Sequence, residues 1–202
     1  VNVHIYVEGG GRGKESKAAL RNGFAELFST LREAVLQQHG EFRIILCGDR
    51  DATYRDFMRA TRTDPDVFNV LLVDAESAVS SLPREHLLER DKWNYKQAGD
   101  DQYHLMVETM ESWIISDRNA LMKFYGNDFK ESAIPRRDDV ENLMKAEVSK
   151  ALTAATKPTQ KGEYHKIQHG PKLLAMLDVA HLREVAPHCD RLFATVLEKI
   201  NT

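Results

Sequence analysis

Cysteine is scarce in this chain. The two residues, Cys47 and Cys189, offer no disulfide framework, and a reducing compartment is the simple expectation. Positive charge is not in excess either: 28 Lys and Arg stand against 31 Asp and Glu, for a net charge of -3. The overall basic footprint of a dedicated duplex-binding protein is therefore missing. Nucleic acid would have to be held by a local patch, through a metal or with the help of a partner. No apolar run approaches the roughly eighteen residues of a membrane span, so no membrane association is expected. The start, VNVHIYVEGG, has no basic stretch leading into an apolar one and is not read as a signal peptide, which makes a cytoplasmic protein the expectation. There is no internal repeat and no low-complexity tract.

What the chain does have is enough apolar residue, 42%, to bury a core, beside 29% charged residues. Val3, Ile5 and Val7 alternate with polar partners as in a strand, and a glycine-rich break follows at residues 9–13. Leu20, Phe24, Leu27, Phe28, Leu31 and Val35 form one helical stripe, which predicts a single helix over 15–38 stopped by Gly40. FRIILC at 42–47 and VFNVLLV at 67–73 are nearly continuous apolar runs suited to strands buried on both faces. A helix is expected between them, over 53–62. Strand, helix, strand, helix, strand predicts an α/β fold with a mostly parallel sheet flanked by helices.

Beyond this, the polar residues 83–102 predict a loop or mobile segment. Helices are expected over 103–116, from Asp117 to Gly126, over 138–155, over 170–184 and over 188–200, giving a mainly helical second half. The expected division is a core over 1–82 and a helical extension over 83–202 packed on it, with one integrated domain as the alternative.

In a parallel α/β sheet, ligands bind outside the carboxyl ends of the strands. Glu8 follows the first strand, and Asp74 and Glu76 follow the third; Asp49 and Asp51 follow the second and are weaker candidates. Carboxylates gathered in one cleft repel unless a cation neutralises them. Oxygen donors without a Cys/His cluster suit magnesium or manganese rather than zinc. Taken singly, each acid reads more readily as a helix cap or a solvated loop residue, and only their order along the chain sharpens the metal reading.

Two motifs carry a resemblance. Val7-Glu8-Gly9-Gly10 and Leu72-Val73-Asp74-Ala75-Glu76 resemble the signature of the Toprim domain of topoisomerases, bacterial primases and OLD-type nucleases, with glutamate in place of the second aspartate of Asp-x-Asp. The resemblance covers about residues 2–80. It implies a Toprim-like core in which Asp74 and Glu76 hold Mg2+ or Mn2+, while Glu8 is a general acid/base or positions a second ion. His104-Leu105-Met106-Val107, Met110-Glu111-Ser112-Trp113 and Lys161 to Lys166 (KGEYHK) are similar to a bacterial Toprim-related family encoded beside AAA- or ABC-type ATPases and linked to phage defence. That similarity implies an ATPase partner and puts Glu111 and Lys166 at the border of the site. A topoisomerase is not expected, because no tyrosine stands in a suitable context, and the chain is short for a complete primase.

Residues 8–15 invite comparison with a P-loop, but Glu8 falls on its first glycine and Glu15 on its metal-binding hydroxyl, so nucleotide hydrolysis there is not expected. The loop could still meet phosphate through its amides, Arg12, Lys14 and Lys17, or be a flexible turn with solvated lysines. His165 and His169 lack further zinc ligands and are expected to lie at the surface or be partly buried. Lys157, Lys161, Lys166 and Lys172 form a local basic run that could face phosphate or solvent. The leading expectation is a metal-dependent nuclease or nuclease-like effector. Its rivals are a catalytically weak interaction module that docks to an ATPase and a small-molecule phosphotransferase or phosphatase. Whether the target is DNA, RNA or tRNA, and whether the protein is an oligomer, stay open at this level.

Overall fold

The computed structural model describes residues 1–11, 13–137 and 139–201. Four parallel strands form one sheet: β1 (Asn2–Glu8), β2 (Phe42–Gly48), β3 (Val67–Asp74) and β4 (Tyr103–Met106), in the order β2-β1-β3-β4. β1 lies in register with β2 through Val3 and Phe42 and with β3 through Val3 and Phe68. The alternation of the strands divides their side chains between two cores. Val3, Ile5, Val7, Val70 and Leu72 face one side, and Tyr6, Leu71, Val73, Tyr103 and Leu105 face the other.

Helices cover both faces. On the first lie α1 (Lys14–Leu27), α2 (Ser29–Gln37), α5 (Met110–Ser116) and α10 (Pro187–Ile200), which bury Phe24, Leu31, Trp113 and Phe193 together. On the second lie α3 (Arg50–Thr63) and α4 (Pro83–Asp91), which bury Phe57 and Leu87. The remaining helices are α6 (Arg118–Tyr125), α7 (Lys145–Thr156), α8 (Gly170–Leu174) and α9 (Val179–Val185). They extend the first layer and make the second half mainly helical. No helix among the described residues is long and apolar enough to cross a membrane.

The structure corrects several boundaries. The helix expected over 15–38 is two helices, interrupted at Phe28, whose ring stacks on Phe24 and meets Phe193 of α10 edge-on. Tertiary packing overrides a helical pattern that holds no glycine or proline at the break. The polar segment 83–102 is not simply a loop. It holds α4, with proline in its first turn and Glu85 accepting from the Leu82 N–H, and it buries Leu87, Trp93 and Ala98. Residues 103–116 are not one helix: Tyr103–Met106 is the fourth strand, and α5 starts only at Met110. Of the expected helix over 138–155, the structure forms a 3-10 turn at Val140–Asn142 and α7. The expected helix over 170–184 is split into α8 and α9.

Candidate functional site

The strand order reverses between β1 and β3. β1 connects through α1 and α2 to β2 on one flank, and β2 returns through α3 to β3 on the other. The crevice at the carboxyl ends of two such strands is where open α/β sheets bind ligands. Glu8 ends β1 and Asp74 ends β3, so the two acids flank that crevice. A register shift between Val7 and Glu8 pairs Glu8 with Gly48, and the Gly9 N–H then donates to the Gly48 carbonyl at 2.8 Å. Gly9, Gly10 and Gly11 follow with positive φ, so the chain turns sharply away from the strand.

Asp74 is only 5% exposed. Its Oδ1 accepts from the Met110 N–H of α5 at 2.8 Å, and its Oδ2 lies 3.4 Å from Lys166 Nζ. Burial raises its pKa to about 6; Lys166 opposes the rise, while Glu111 and Glu8 add to it. Glu8 also titrates above the ordinary carboxylate range because of burial, against the pull of Arg50. Glu76 lies two residues past Asp74, with φ 65 and its N–H donating to the Glu108 carbonyl at 2.8 Å. Burial pushes its pKa up, but hydrogen bonding and attraction from Lys145 win and hold it below the usual range.

Three cations thread these acids. One Arg50 nitrogen, Nη1, donates to both Glu8 Oε2 (3.1 Å) and the Asp74 carbonyl, while Nε and Nη2 form a two-pronged pair with Asp91 at 2.9 and 2.7 Å. The guanidinium lies 5.0 Å from the Trp93 ring centroid, and Trp93 stacks on Tyr54 at 4.2 Å. Lys145, the first residue of α7, reaches Glu76. Lys166 Nζ sits between Asp74 and Glu111, 3.3 Å from Glu111 Oε2, and Tyr164 donates to Glu111 Oε1 at 3.1 Å. Burial and the neighbouring Glu111 hold the Tyr164 hydroxyl protonated, so it serves as a donor.

The structure thus gathers Glu8, Asp74, Glu111 and Lys166 in one crevice, with Glu76 at its edge. Among the described residues, no three His, Cys, Asp or Glu side chains form a group that could enclose a metal ion as they stand. Each carboxylate has a cationic partner instead. Asp49 is a helix cap: its Oδ1 accepts from the Ala52 N–H at 2.8 Å at the start of α3. Lys14 is exposed in the first turn of α1, and Lys17 Nζ is turned onto the Cys47 carbonyl at 3.2 Å. Arg12 lies outside the described residues. His169 is structural: its Nδ1 is bonded by the Tyr125 hydroxyl at 3.0 Å and by the His165 N–H at 3.1 Å.

Lys145 and Tyr164 escaped the sequence reading as parts of the site, although Tyr164 lies within the KGEYHK segment. Arg50, between two aspartates directly after a strand, reads from sequence as part of an ion pair beside the site, and its partners are Glu8 and Asp91. Two cavities adjoin Lys166. One of 380 Å³ is lined by Thr109, Glu111, Lys145, Ser149, Tyr164 and Lys166. The other, of 200 Å³, lies against the glycine turn, Leu20, Met110 and Pro171. A wider cleft of 720 Å³ at Arg118, Arg136 and His181 shares no lining residue with them.

No curated protein and no solved structure matches the chain. A family model described as a domain of unknown function (DUF4276) matches residues 7–197, and over that span, which is nearly all of its length, the chain belongs to this family.

Proposed function

We propose that the crevice between β1 and β3 hydrolyses phosphodiester bonds of nucleic acid with magnesium or manganese. The observation that carries the proposal is the meeting of Glu8, at the end of β1, with the buried Asp74, at the end of β3, at the reversal of strand order. The donors are all hard oxygen, as those ions prefer. The position of Lys166 Nζ between Asp74 and Glu111 supports room for positive charge beside the acids. Asp74, Glu8 and Glu76 would hold the ion, which supplies Lewis-acid polarisation of phosphoryl oxygens. With the ion held by their carboxylate partners, Lys166 and Lys145 would turn to the phosphate and stabilise its charge as the bond breaks. Tyr164 fixes Glu111, which in turn orients Lys166. A Toprim-like ancestry, an AAA- or ABC-type ATPase partner and a role in phage defence belong to the same proposal and rest on the resemblance alone.

The test is cleavage of single-stranded and duplex DNA and of RNA with added Mg2+ or Mn2+. Glu8→Gln and Asp74→Asn should each lower the rate by about 100-fold or more with circular dichroism unchanged. Cleavage that survives both substitutions, or continues in excess chelator, removes this crevice as its source. A second reading has one observation in its favour, the pairing of each carboxylate with Arg50, Lys145 or Lys166. In that case the acids are structural and the chain is a catalytically weak docking module. It would then bind an ATPase partner equally well with Glu8→Gln and Asp74→Asn and cleave nothing.

A further inference from the structure

The two cavities at Lys166 differ in chemistry, and Lys166 lines both. On one side stand hydroxyls and charge, Thr109, Ser149, Tyr164, Glu111 and Lys145, with Leu152 as the apolar member. On the other side the wall is bare backbone at Gly9, Gly10 and Gly11, faced by Leu20, Met110 and Pro171. All three glycines have positive φ, which side chains rarely adopt, and a Cβ on Gly10 would also stand 2.9 Å from Lys17 Cγ and 3.0 Å from Lys17 Cα, while one on Gly11 would meet open space. Ile167, 50% exposed, forms a lip of the same cavity. An apolar cavity with a backbone wall and, at its margin, the Ser16 hydroxyl, which donates to the Gly10 and Gly13 carbonyls and keeps its lone pairs for a donor, matches a group with apolar faces and a polar rim. A nucleobase is such a group, and 200 Å³ has room for one base but not for a base pair.

We propose that the crevice binds one nucleotide unit of a single strand or strand end: the base in the glycine-walled slot, the phosphate at Lys166 and the adjoining sugar-phosphate in the hydroxyl-lined cavity. This rests on the phosphodiesterase proposal and narrows its substrate class to unpaired nucleotides. The net charge of -3 agrees, since a paired duplex would need a broad basic face. Recognition of an unpaired base in an apolar slot is also how enzymes that act on single nucleotides select them.

The experiment measures binding by calorimetry with Mg2+ present and again in excess chelator; the ligands hold no diester bond, so neither measurement depends on turnover. Adenosine 5'-monophosphate and ribose 5-phosphate are titrated into the full chain. The monophosphate should bind about 10-fold or more tighter, the ratio reporting burial of the base in the slot. Ile167→Ala should weaken the monophosphate by about 5-fold while leaving ribose 5-phosphate unchanged, and Lys166→Met should weaken both. The ratio of the two ligands in one variant is insensitive to a partly unfolded sample. Equal affinity of the two ligands in the unaltered protein, no binding of either, or an Ile167→Ala variant with full monophosphate affinity overturns the base slot. Nucleotide binding without cleavage of any nucleic acid leaves the slot standing and ends the nuclease proposal. Cleavage without nucleotide binding does the reverse.

Discussion

Asp74 has to carry a charge where water hardly reaches, with Lys166 on one oxygen and a backbone N–H on the other. Burial wins over the lysine, and its pKa rises from 3.8 to about 6. A raised acid stabilises the fold in its protonated form. That contribution is fully present below the unfolded value of 3.8 and is lost as pH rises through about 6. Asp74→Asn keeps an acceptor for the Met110 N–H and removes the titration. In chelator, its stability relative to the unaltered protein should therefore increase from about pH 4 to about pH 7 and then level off, by on the order of 2–3 kcal/mol. Urea midpoints of the two proteins across that range check it. A variant that loses ground as pH rises would mean that the Lys166 pair outweighs burial. At this scale, Glu8, Asp74 and Glu76 were legible from sequence because strand ends announce them, and Glu111 and Lys166 came only through the resemblance. Lys145 was not legible: it reaches Glu76 across 69 residues, as Lys166 reaches Asp74 across 92, and no local pattern reports such a meeting.

Elements were legible where the periodicity was clean and long. The three strands and intervening helices of the first eighty residues follow from alternation, apolar runs and helical stripes. β4 did not, because four residues buried on all sides, Tyr103–Met106, look like the start of the helix that follows them. α4 did not, because its surface is charged and its apolar contribution is small. Close helix contacts are invisible in the same way. Gly23 lies in the middle of α1, where alanine would ordinarily gain about 1 kcal/mol of helix stability. Here a Cβ would stand 2.5 Å from the Pro171 carbonyl oxygen of α8 and 3.0 Å from Pro171 Cα, both backbone atoms with little freedom to move. Gly23→Ala should therefore destabilise the protein, by about 1–3 kcal/mol, in a thermal or urea melt. A neutral or stabilising effect would show that α1 and α8 are less closely fitted than this.

At the scale of the whole molecule, sheet, core and site are all shared between the halves of the chain. β4, from residues 103–106, covers the edge of β3, and the core on the α1 face combines Val3, Ile5 and Phe24 with Trp113, Leu192 and Phe193. The crevice is divided in the same way: Glu8, Arg50, Asp74 and Glu76 come from the first half, and Glu111, Lys145, Tyr164 and Lys166 from the second. A fragment of residues 1–82 would expose the β3 edge and the apolar faces of α1 and α2, both hazards for aggregation. It should show no cooperative melt and poor dispersion of its amide signals, and it should regain both when mixed with a fragment of residues 83–202 during refolding. Any activity should return with the same dependence on the second fragment, since neither half alone brings the acids and the Lys145–Lys166 pair together. A fragment of residues 1–82 that melts cooperatively by itself would place the stability of the fold in its first three strands and leave the helical half as an attachment.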